Sequence, residues 1–122
     1  MDNKLNLVAN ENFGDLQCGF YRQDGSDEVL MTREQIGEAL GYKEPGIAIY
    51  KIHSRHPDRL GKFSIRVPID KGLTKLVNPD SSGGAQDTVL YSIEGVMEIC
   101  RWSRQPKADD FMDFTWKVMK RL

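Results

Sequence analysis

The chain has only two cysteines in 122 residues, Cys18 and Cys100, and they lie far apart with no neighbours at metal-ligand spacing. That excludes a disulfide framework and a cysteine zinc site, and it points to a reduced, cytoplasmic setting. Long apolar runs are lacking too, and a membrane span needs roughly 20 apolar residues. The opening Met1-Asp2-Asn3-Lys4-Leu5 has no basic stretch followed by an apolar one, so no secretory signal is visible. Charge of one sign is also missing. Seventeen Lys/Arg stand against eighteen Asp/Glu, a net charge of −1, so the whole chain offers no strong field for non-specific DNA binding. What is present is ordinary: 39% hydrophobic and 29% charged residues, enough for one soluble domain with one sizeable core.

The neutral total hides a polarised distribution. Residues 1–50 carry four Lys/Arg and nine Asp/Glu, whereas residues 51–75 carry seven Lys/Arg against Asp58 and Asp70 only. This basic segment reads either as a local phosphate-facing patch or as a solvated strand pair with lysines on its exposed edge.

Hydrophobic spacing outlines the elements. Residues 1–12 are polar and read as a flexible, frayed N-terminus. Alternation over Phe13–Tyr21 predicts a strand, Asp24-Gly25-Ser26-Asp27 a turn, and Val29-Leu30-Met31 the return strand of a hairpin. Thr32 followed by Gln35 is a capping-box signature that starts a helix over Arg33–Leu40, and Gly41 suits its left-handed end. Pro45 opens a second helix that stops at His56-Pro57. Residues 60–77 read as strands, with a turn at Lys71-Gly72 and a strand over Leu73–Val77. Asn78 to Gly84 forms a loop, Thr88–Tyr91 a strand, and Ser92 caps a helix ending near Ser103. The last helix covers Lys107–Leu122. Its apolar arc, plotted at 100° per residue, spans roughly 200°, twice the ~100° that packing on one core requires. The surplus at Met112, Trp116 and Met119 is expected to face a second surface: this domain, a dimer mate or a following domain. The fold class is α+β, a small antiparallel sheet of hairpins with about four helices.

Gln35–Ser54 has the layout of a helix-turn-helix. Ile36 and Leu40 flank the small Gly37, Gly41 takes the turn, and Ile47 and Tyr50 are expected to point inward from the second helix. Lys43, Glu44, Gly46, Lys51 and Arg55 are then nearest a DNA groove. A plain helical corner would place the same core residues. The second helix also carries Gly46, Ala48 and Ile49 where base-reading Arg, Asn or Gln would be expected.

These residues carry a family resemblance. Ala39-Leu40-Gly41-Tyr42, then Pro45 and Ala48, resembles the ALGY-x-x-P-x-x-A signature of Bro-N domains. Ile52 to His56, Arg59 to Ser64, Tyr91 to Ile99 and Ser103 to Phe114 resemble a prophage subgroup in the right order, covering about residues 13–120. The resemblance implies the N-terminal domain of a phage antirepressor or transcription regulator, residues 13–122, usually followed by a separate C-terminal domain. It implies binding of double-stranded DNA, capture of a phage repressor protein, or both. Asp109, Asp110 and Asp113 stand where many relatives carry Lys or Arg, which turns the last helix toward a protein-facing role.

The DNA-binding candidates are therefore Lys43, Lys51, Arg55, Arg59, Lys62 and Arg66. The interface candidates are Met112, Trp116 and Met119, through which a homodimer is also possible. His53 and His56 lie three apart but lack third and fourth metal ligands. Gly83-Gly84 lacks the lysine of a phosphate loop, and no serine or cysteine has the surroundings of a nucleophile. No enzyme activity, metal, cofactor, membrane contact or small-molecule substrate is expected.

Overall fold

Strand structure begins well before Phe13. The structure, a computed structural model, describes residues 5–68 and 87–122. Strand β1 (Leu5–Phe13) pairs antiparallel with β2 (Leu16–Gln23) across a tight turn at Gly14, whose φ of 64° is a conformation glycine adopts without penalty. The frayed tail expected over residues 1–12 is thus strand from Leu5 onward. Its asparagines are poor strand formers by composition. The ladder to β2 and the packing of Val8, Ala9 and Phe13 against the core outweigh that preference.

The expected hairpin partner of β2 is mostly elsewhere. Gly25 makes the turn at φ 84°, but only Tyr21 and Leu30 then pair, by reciprocal bonds of 2.9 and 2.8 Å. Strand β3 (Met31–Thr32) leaves because Thr32 is committed to starting the next helix. It joins a second antiparallel sheet of order β3-β5-β4, with β4 at Ser64–Pro68 and β5 at Asp87–Tyr91. The turn at Lys71-Gly72, the strand at Leu73–Val77 and the loop from Asn78 to Gly84 lie outside the described residues.

Five helices accompany the two sheets among the described residues, an α+β architecture. Helix α1 (Arg33–Leu40) begins where the Thr32 hydroxyl accepts from the Gln35 amide at 3.1 Å. The reciprocal half of the capping box is absent, because the Gln35 side chain instead accepts from the Gly19 amide. Gly41 closes α1 in the left-handed region, φ 92°. After the turn at residues 41–44 come α2 (Pro45–Arg55) and the short α3 (Pro57–Gly61). Helix α4 (Ile93–Trp102) is capped by Ser92, and α5 spans Ala108–Arg121.

One core gathers residues from every helix and both sheets, including Phe20, Met31, Ile36, Leu40, Ile49, Leu60, Tyr91, Ile99 and Phe111. Each such side chain contributes about 1.5–3 kcal/mol by leaving water. Within it α1 and α2 cross so closely that a Cβ on Gly37 would stand 2.5 Å from the Pro45 carbonyl oxygen. This crossing sets the roll of α2. Ile49 and Ile52 turn inward and are buried, whereas Ile47 and Tyr50, expected inside, are 50% and 58% exposed. Both pairs recur three residues apart, so helical period alone cannot choose between them. Helix α5 buries most of its wide arc within this domain. Phe111 and Phe114 meet Phe13 of β1, Met119 is core, and Met112 is half-buried against it.

Candidate nucleic-acid interface

Because Ile49 and Ile52 anchor α2, the opposite face points to solvent with Ile47, Tyr50, Lys51, Ser54 and Arg55 exposed. Beside it lies a groove of about 470 Å³ lined by Lys43, Glu44, Ile47, Lys51 and Arg55 among others. Arg55 and Ile52 also line a second, more polar cleft of about 300 Å³ between the ends of α2 and α4, with His56, Arg101, Trp102 and Arg104. The two hollows share their central wall. Together they gather five cations (Lys43, Lys51, Arg55, Arg101, Arg104) and one acid, Glu44.

The cleft is held open by defined contacts. His56 stacks on Trp102 with ring centroids 3.9 Å apart and planes at 15°. The guanidinium of Arg101 lies over the same indole. Tyr42, just after the α1 turn, bonds through its hydroxyl to Ser103 Oγ at 2.8 Å, and the Gln105 amide donates to the Leu40 carbonyl at 3.2 Å. These bonds tie the turn before α2 to the end of α4.

On the other flank of α2 a polar network fixes its tilt. The buried Tyr91 hydroxyl accepts from Arg33 Nε at 3.1 Å and Nη2 at 3.0 Å. Its own proton therefore points to His53 Nδ1, 2.8 Å away. That geometry needs a neutral His53. Burial first, then the charges of Arg33 and Arg66, hold its pKa below the usual value. Burial likewise pushes the Tyr91 hydroxyl up. Arg33 also lies over the Tyr50 ring, 5.6 Å from its centroid. Cationic groups thus flank the outer face of α2 on both sides, with Glu34 against Gly46 at its N-terminal end.

No protein-family model, no curated protein and no solved structure matches this chain. The surface must therefore be read from its own chemistry.

Of the six sequence-predicted cations, Lys43, Lys51 and Arg55 share this surface. Arg59 does not. It forms a close ion pair with the buried Glu98, which also receives the Trp102 indole N–H at 3.3 Å. The bond from Arg59 is the main reason the Glu98 carboxyl sits below its ordinary pKa. Lys62 lies over Phe63. Arg66, on β4, contributes to the positive potential at His53. Among the interface candidates Met119 is core and Met112 half-buried, so Trp116, 48% exposed, is the one that reaches solvent freely. It borders a groove of about 410 Å³ with Phe63, Met97 and Lys120.

Arg33, Arg101, Arg104 and the His56–Trp102 stack were absent from the predicted site. Arg101 and Arg104 lie more than forty residues beyond α2 in the chain, in a segment without net positive charge. Their one local signal is position: a basic group at the end of a helix reads first as a partner for its dipole. His53 and His56 separate to Tyr91 and Trp102, and among the described residues no group of three or more His, Cys, Asp or Glu is placed to hold a metal. Both cysteine thiols are buried, and burial pushes each up to about 12. No helix among the described residues is long and apolar enough to cross a membrane.

Proposed function

We propose that this domain is a transcription-regulator module of the antirepressor type that binds double-stranded DNA through α2. The observation that carries the reading is the solvent-facing side of α2, bordered by Lys43, Lys51, Arg55, Arg101 and Arg104 with one acid among them. A helix of this width fits the major groove, roughly 12 Å across, with cations beside it reaching the phosphates. Ile49 and Ile52 seat α2 on the core, which leaves its Ile47–Tyr50 face turned to solvent. The antirepressor role rests on the sequence resemblance alone.

Binding of a short duplex, followed by fluorescence anisotropy across a salt series, tests this. Log affinity should fall linearly with log salt, by a slope near −0.9 per phosphate neutralised. Lys51→Gln, Arg55→Gln and Arg104→Gln should each weaken binding and reduce the slope by about one. Arg59→Gln should leave the slope unchanged, since Arg59 is engaged with Glu98. Absence of duplex binding at low ionic strength sinks the reading.

A second reading is favoured by Trp116, exposed beside Phe63 and Met97 on the groove next to α5. Large exposed aromatics anchor protein interfaces. Self-association through this groove requires a mass that rises with concentration in light scattering and returns to monomer in Trp116→Ala. A wild-type protein that stays monomeric throughout removes it.

A further inference from the structure

The crest of α2 is the odd feature of this surface. Ile47 and Tyr50, one helical turn apart, stand side by side and half exposed among the described residues. Lys51 and Arg55 border them on one side, and Arg33 lies over Tyr50 on the other. The crest carries no Asn, Gln or Arg, the side chains that read bases by paired hydrogen bonds. Ser54 is its one small polar group. An apolar strip between cationic flanks has a matching counterpart in the major groove. The phosphate chains are anionic, and the one apolar group on the base edges between them is the thymine C5-methyl.

We infer that Ile47 and Tyr50 read thymine methyl groups, so that the domain prefers A·T-rich duplex through apolar contact in the major groove. This rests on the DNA-binding reading above. Burying a methyl is worth about fourfold in affinity. Arg33 keeps the Tyr50 ring in place from the flank, and the Tyr91–His53 network keeps Arg33 in place in turn.

The experiment compares a short alternating dA–dT duplex with the same duplex carrying deoxyuridine, which differs only by the missing methyl. Affinity should drop severalfold with deoxyuridine at fixed salt. In Ile47→Ala/Tyr50→Ala, whose fold is checked by circular dichroism, the two duplexes should bind alike. Both positions are exposed, so the fold should survive. Equal binding of the two duplexes by the wild-type protein overturns the methyl reading and leaves DNA binding standing. A preference that persists in the double variant also overturns it, since the methyls would then be sensed elsewhere. Binding of neither duplex at low salt is the separate failure, that of the DNA-binding reading itself.

Discussion

Replacing Gly37 by alanine is the most direct probe of the helix pair. A Cβ there would meet the Pro45 carbonyl oxygen at 2.5 Å, its Cα at 2.6 Å and its Cβ at 2.7 Å. These are about 1 Å short of ordinary contact. Two of the three atoms are backbone, so no rotamer change relieves the clash and α2 must move away from α1. Overpacking of this kind costs about 1–3 kcal/mol, and the rigidity of the neighbour puts this case at the upper end. Alanine recovers about 1 kcal/mol of helix propensity. The net loss is then about 2 kcal/mol, or roughly 1 M in the urea midpoint. Gly61→Ala is the internal control. Gly61 ends α3 with nothing among the described residues within 4 Å of its Cβ position, so alanine there should be neutral or stabilising by up to about 1 kcal/mol. Urea unfolding followed by tryptophan fluorescence measures both. If Gly37→Ala matches Gly61→Ala with an unchanged slope, the helices do not cross as closely as described, and the roll assigned to α2 loses its basis.

Two further perturbations test other parts of the structure. Thr88 on β5 is buried, and its hydroxyl finds no hydrogen-bond partner among the described residues, so Thr88→Val should stabilise by about 1 kcal/mol in the same assay; a loss of that size would mean the hydroxyl is satisfied. His53 should make stability acid-sensitive. Its folded-state pKa lies below the ordinary 6.5, so the unfolded chain binds more protons in that window. The contribution is full above 6.5 and lost as pH falls through the lowered value, and His53→Gln should flatten the loss that sets in below 6.5. Equal acid sensitivity in wild type and variant would remove His53 from that role.

Much of the chain could be read locally. Thr32, Gly41, Pro45 and Ser92 mark helix ends through capping and φ preferences that act within a few residues. Helices α1 and α4 accordingly lie within a residue or so of where the spacing puts them. The need for a small residue at Gly37 was legible from the helix-turn-helix layout. Strand pairing was not. Val29–Met31 looks like a return strand by composition, but whether it joins β2 or β5 depends on residues sixty positions away.

The candidate site divides along the same line. The sequence by itself determined that a helical pair would carry Lys43, Lys51 and Arg55 near one another, because neighbours on one helix and its turn cannot separate. Tertiary structure alone decided which face of α2 is wet. Ile47/Tyr50 and Ile49/Ile52 are equally periodic, and only the α1–α2 crossing at Gly37 and Pro45 distinguishes them. It also brought Arg101 and Arg104 beside Arg55 and took Arg59 away to Glu98. Electrostatic partners are chosen by distance in space, and a segment rich in Lys and Arg does not determine which side chain each one meets.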